Sequence, residues 1–141
     1  MSANQGRGSH WIRDTKRLRI YARDGFRCVW CGCQVARARD LGAPGVRLAT
    51  LDHVVPRPRG SNDASNLITA CEACNSARAG MSALDYASHR ATSDFGRVRW
   101  FDVAITLDRV IEAMGAALPE RNLCTTLPKK KSSTAFTPEA I

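Results

Sequence analysis

The sequence predicts an α+β domain stapled by a metal site, with a helix flanking it on each side. Three observations carry this reading. Two C-x-x-C pairs, Cys28/Cys31 and Cys71/Cys74, are separated by 39 intervening residues. Between them, Val46–Val55 alternates apolar and polar residues at first and then becomes more apolar, as a strand entering a core does. Near the end, Val103, Leu107, Val110, Ile111, Met114 and Leu118 recur at helical spacing on one face.

Length and charge bound the rest. A chain of 141 residues with 44% hydrophobic residues fits one folded domain with tails. The expected limits are an arm at 1–10, a folded domain at 11–120 and a disordered basic tail at 121–141. Within the domain the core is expected at 18–80 and the last helix at about 98–118. A core of this size is modest, so a metal staple would help it. The net charge is +8, which favours a polyanionic partner, nucleic acid before others. No run approaches the roughly 18 apolar residues that span a bilayer. The N-terminus MSANQGRGSHW has no apolar segment of a secretory signal. The expectation is therefore a cytoplasmic protein with no membrane partner, whose cysteines bind metal rather than form disulfides.

In chain order, Asp14 is expected to cap a helix over Thr15–Arg23, with Lys16, Arg17, Arg19 and Arg23 as a cationic surface. Asp24-Gly25 ends it. Phe26–Gly32 reads as a short strand entering a metal knuckle, with Gly32 at a turn that needs positive φ. Residues 36–45 read as a loop. Pro56 stops the Val46–Val55 strand, and Arg57–Ser65 is a Pro/Gly/Ser/Asn loop. Leu67–Ala70 leads into the second knuckle. Asn75–Ala79 begins a helix, Gly80 interrupts it, and residues 82–93 are helical.

Each cysteine pair puts two sulfurs on one tight turn. Two such turns facing each other make a tetrahedral four-sulfur site, which suits Zn2+. Four cysteines leave no open coordination position, so this zinc is structural. Cys33 is expected to be a small half-buried residue, and Cys124 to lie in a loop.

The residues between the knuckles carry different chemistry. Phosphodiester hydrolysis needs a base for water and a cation to offset charge on the phosphorane. Neutral imidazole at His53 can be the base. Asp52 and an amide oxygen can hold a hard cation such as Mg2+. Asp52 and His53 are neighbours, so on a regular strand they point to opposite faces. A bend at the strand end is needed to aim both at one substrate.

Over about residues 18–80 the sequence resembles the HNH endonuclease family. The resemblance rests on Cys28/Cys31, Asp52-His53 with Pro56 and Gly60, Asn66-Leu67, and Cys71-x-x-Cys74-Asn75 with Arg78. Asn66 follows His53 by 13 residues and Asn75 follows nine later. The resemblance implies the ββα-metal fold on a structural zinc held by Cys28, Cys31, Cys71 and Cys74. It implies that His53 is the general base, that Asp52 and Asn75 ligate a catalytic Mg2+ or Mn2+, and that Asn66 bonds across the loop to fix the backbone of His53. It also implies DNA cleavage to 5′-phosphate and 3′-hydroxyl ends. Asn75 stands where many members have histidine, and its amide oxygen favours a hard cation. Gly60-Ser61 replaces a common Gly pair. Small free-standing chains of this type are common in phages and mobile elements. Arg57, Arg59 and Arg78 flank the site and are expected to grip phosphates without reading sequence. The last helix is expected to pack on the module, with a homodimer seam as the alternative.

Two other readings compete. A zinc-knuckle nucleic-acid-binding module without catalysis keeps the cysteines and the basic surface. A redox protein using C-x-x-C is weaker, because such motifs occur singly beside a βαβ pattern.

Overall fold

The computed structural model describes residues 12–120. The N-terminal arm, Cys124 and Lys129–Lys131 lie outside the described residues. Helix α1 spans Asp14–Arg23, strand β1 Val35–Ala36, β2 Arg47–His53 and β3 Leu67–Cys71. Helices α2 (Glu72–Arg78), α3 (Ala83–Arg90) and α4 (Trp100–Gly115) follow. The sheet order is β1-β2-β3, with β1 parallel to β2 and β2 antiparallel to β3.

The β2–β3 pair is the centre. Leu51 faces Thr69, Asp52 faces Ile68 and His53 faces Leu67 across the ladder. All five β3 residues are buried, which is how a strand covered on both faces reads. The core gathers Ile20, Tyr21, Trp30, Leu67, Ile68 and Tyr86, contributed by α1, the first knuckle, β3 and α3.

Several local expectations change. Arg13, not Asp14, occupies the N-cap of α1, and no side chain caps it. Asp14 lies in the first turn, where a carboxylate still complements the helix dipole. The stretch before Cys28 forms no strand; only an isolated bridge, Arg27 to Gln34, closes the knuckle. The short strand comes after it, at Val35–Ala36, and overlaps the first residue of the predicted loop. Gly32 does have positive φ, at 84°. Helix α2 starts at Glu72, earlier than expected, because the Cys71 sulfur caps it by accepting from Cys74 N. Ile111 is 67% exposed; it lies off the inward face, which Val103, Thr106 and Val110 supply.

The cationic surface expected on α1 is largely spent on internal ties. Arg23 pairs with Asp24 and donates to the Ala64 and Leu67 carbonyls. Arg19 donates to Pro119 O, and Lys16 to Asn62 O. These carbonyls lie outside regular ladders, and a long cationic side chain satisfies them at the cost of its own solvent contact. Helix α4 is held to the first knuckle in the same way. Arg109 donates to Val29 O at 2.9 Å and to Trp30 O at 2.7 Å.

Candidate active site

The two knuckles meet. The sulfurs of Cys28, Cys31, Cys71 and Cys74 all lie within 4.8 Å of one another. A tetrahedron with Zn–S of about 2.3 Å sets its sulfurs about 3.8 Å apart, and Cys31 Sγ to Cys71 Sγ is 3.9 Å. The four cysteines are positioned to form a zinc site. Each turn is braced by its own backbone, with Cys31 N on Cys28 Sγ at 3.4 Å and Cys74 N on Cys71 Sγ at 3.3 Å. Without metal, the hydrogen bond shared with Cys74, then burial, pushes the Cys28 thiol up to about 12. Zinc reverses that preference by binding thiolates.

Helix α3 supplies an outer layer. Arg90 Nη1 lies 3.7 Å from Cys74 Sγ, where a cation offsets thiolate charge. Tyr86, buried beside Cys74, packs edge-on against Trp30. Cys33 is half-buried beside the cluster, its thiol pushed up to about 12 by burial, then by the hydrogen bond to Cys31.

On β2, Asp52 is 5% exposed and Arg78 is 1% exposed. Arg78 Nε donates to Asp52 Oδ2 at 2.9 Å and Nη2 to Oδ1 at 3.1 Å. Trp30 Nε1 donates to Oδ2 at 2.8 Å, and the guanidinium lies 5.4 Å over the Trp30 ring. Arg78 also donates to the carbonyls of Met81, His53 and Val54. Arg78 is therefore not a solvent-facing phosphate grip. Its position on α2 aims it at β2, where a buried carboxylate needs a countercharge.

Asn75 sits one turn earlier on the same helix. Its Nδ2 donates to Thr50 Oγ1 at 3.0 Å and to Leu51 O at 3.2 Å. No donor among the described residues reaches its Oδ1. A carboxylate offers about four acceptor positions. Three on Asp52 are taken, which leaves one on Oδ1. Thr50 and Asp52, two apart on β2, present Asn75 and Arg78 with the same strand face. The Asn75 amide oxygen and the last Asp52 position are thus oxygen acceptors without a donor among the described residues, the latter beside the Arg78 charge.

His53 is half-buried at the end of β2. Its Nε2 lies 2.7 Å from Asn62 Oδ1. Asn66 bridges the loop from the other side. Its Oδ1 accepts from Val55 N at 2.8 Å, and its Nδ2 donates to Val55 O and Ser61 O. Val54 N donates to Asn66 O, which carries the ladder past His53. Gly60 lies inside this loop, and a Cβ there would stand 1.7 Å from Val55 O. Only glycine allows so close a backbone approach. Arg57 and Arg59 are exposed on the same loop, with Arg57 Nη1 3.3 Å from Asn62 Oδ1.

The four cysteines, Asp52, His53, Asn66, Asn75 and Arg78 lie within one stretch. Residues 28–79 match the HNH endonuclease family model. The HNH segment holds both knuckles, β2, β3 and α2, and the β2–β3 pair with α2 is its ββα-metal unit. No curated protein matches the chain. Helices α1, α3 and α4 lie outside the matched residues.

Trp30, Asn62, Thr50 and Arg90 went unrecognised in the sequence. Each acts through a partner at least 9 residues away. Trp30 alone had a local signal, its place inside the first C-x-x-C.

Proposed function

We propose that this chain is a metal-dependent endonuclease that hydrolyses DNA phosphodiester bonds, with His53 as general base. The observation that carries the reading is the state of His53. One ring nitrogen is held by Asn62, the other meets no partner among the described residues, and His53 directly follows Asp52 at the end of β2 within the HNH segment.

His53 Nδ1 takes a proton from water as the water oxygen bonds to phosphorus. The P–O3′ bond breaks, and the 3′ oxygen leaves and gains a proton from solvent. Products carry a 5′-phosphate and a 3′-hydroxyl. Asn75 Oδ1 and Asp52 Oδ1 would hold Mg2+ or Mn2+. When bound, that cation offsets the charge developing on the phosphorane and the leaving oxygen. Asn66 and Arg78 keep the His53 backbone in register, the first through Val54 and Val55, the second through the His53 carbonyl. Arg57 and Arg59 meet backbone phosphates. The net charge of +8 supports a polyanionic substrate.

The test is plasmid cleavage by the zinc-loaded protein with Mg2+ or Mn2+. His53→Ala should lower the rate by about 10²–10⁴ while zinc content stays unchanged. Unaltered cleavage by this variant would remove His53 from the mechanism.

A further inference from the structure

We infer that Asn62 is the positioning residue for His53, fixing which ring nitrogen carries the proton and so which one serves as base. This rests on the proposed role of His53.

The argument uses donor and acceptor capacity alone. Asn62 Oδ1 and Nδ2 are hard to tell apart by shape, so partners must assign them. Arg57 Nη1 lies 3.3 Å from the Asn62 atom in question. A guanidinium can only donate, so that atom is oxygen. The same oxygen lies 2.7 Å from His53 Nε2. A carbonyl oxygen can only accept, so Nε2 carries the hydrogen. In the neutral ring the lone pair is then on Nδ1. The Asn62 side chain thus selects the tautomer and also holds the ring plane.

Asn62 is itself held from outside the HNH segment. Lys16 on α1 donates to the Asn62 carbonyl. On the following residue, Asp63 N donates to Ser61 Oγ. One residue therefore joins α1, the loop arginine and the proposed base. Among the described residues its side chain bonds His53 and Arg57 rather than the cysteines, so replacing it should leave the zinc staple intact.

The experiment combines ring-nitrogen NMR with cleavage kinetics. Full-length zinc-loaded protein is labelled with 15N-histidine, and His53 is assigned by its loss in His53→Ala. Wild type should show His53 as the Nε2–H form. Asn62→Ala should mix the two forms and lower kcat by about 10–100-fold, the scale of a misplaced group, with KM unchanged. Asn62→Asp, which keeps an acceptor oxygen at the same reach, should restore the Nε2–H form and most of kcat. An Nδ1–H ring in wild type overturns the inference. So does Asn62→Ala with wild-type kcat, or with kcat and zinc content lost together. If His53→Ala cleaves normally, the base assignment fails, while the NMR comparison still decides what Asn62 does to the ring.

Discussion

Arg78 holds Asp52 by both oxygens in the interior and, with the same guanidinium, the main-chain carbonyl of His53. The residue expected to grip substrate instead joins α2 to the end of β2. Removing one partner of such a pair leaves an uncompensated buried charge, which costs about 3–5 kcal/mol. Asp52→Ala and Arg78→Ala should each lower the thermal midpoint sharply. The double variant should be less destabilised than the sum of the singles, and thermal or denaturant unfolding measures the coupling. Strict additivity would mean the pair is not formed in solution.

Asn75 separates catalysis from folding where Asp52 cannot. Among the described residues its amide bonds only Thr50 and Leu51, so Asn75→Ala should cost about 1–2 kcal/mol. If Asn75 holds the catalytic cation, the variant should need far more Mn2+ for half-maximal cleavage. A Mn2+ titration of cleavage rate reads this directly, and an unchanged midpoint would leave Asn75 without that role.

Zinc should leave as pH falls. In the metal-free fold, hydrogen bonding to Cys74 and burial hold the Cys28 thiol protonated up to about 12, and Cys71 is raised by burial. Metal binding must expel those protons, so affinity rises with pH and drops on acidification. The metal-free protein has the opposite sign. Neutral thiols favour its fold, and that contribution fades as pH rises from the ordinary thiol value of 9.0 towards about 12. A colorimetric chelator assay across pH follows release, and circular dichroism follows the fold. Because Cys74 and Asn75 are neighbours, metal loss should also end cleavage even in ample Mg2+. Activity in a zinc-free protein would contradict that coupling.

Gly60→Ala should disturb the catalytic loop more than the fold. The added carbon would collide with Val55 O and with Asn66 Nδ2, 2.6 Å away. The loop must move and Asn66 must give up bonds, a strain of about 1–3 kcal/mol. Cleavage should fall by a larger factor than that stability loss implies, since His53 loses its brace. Comparing melting with cleavage rate checks the split.

The exposed arginines predict salt-dependent binding. The slope of log affinity against log salt is about −0.9 per neutralised phosphate on duplex DNA. Arg59→Ala should reduce the slope by about one such step and weaken binding alike on unrelated sequences. A filter-binding series in increasing salt measures this, and an unchanged slope would place Arg59 off the interface.

Parts of the structure were legible in the sequence because they are local. A C-x-x-C turn brings its sulfurs together within four residues. The strand ending at His53 reads from its own alternation, and the last helix from its own repeat. Where the reading slipped, the deciding contact was distant. Helix α2 has 7 residues, too few for periodicity to tell the buried Arg78 from a solvated one. The α1 arginines looked like a charged face because their carbonyl partners lie far along the chain, 100 residues away for Arg19 and 44 for Arg23.

By itself the sequence determined the chemical inventory and its adjacencies: two thiolate turns, a carboxylate beside an imidazole, and an amide one residue past a cysteine. These follow from residue type and covalent spacing, which folding does not alter. Tertiary structure alone decided how each group is engaged. It turned Arg78 inward onto Asp52, set Asn62 on His53 Nε2, and tied the Asn75 amide nitrogen to Thr50 and Leu51. The reason is burial. A charge or lone pair removed from water must find a partner, and which partner is within reach depends on where the chain returns in space.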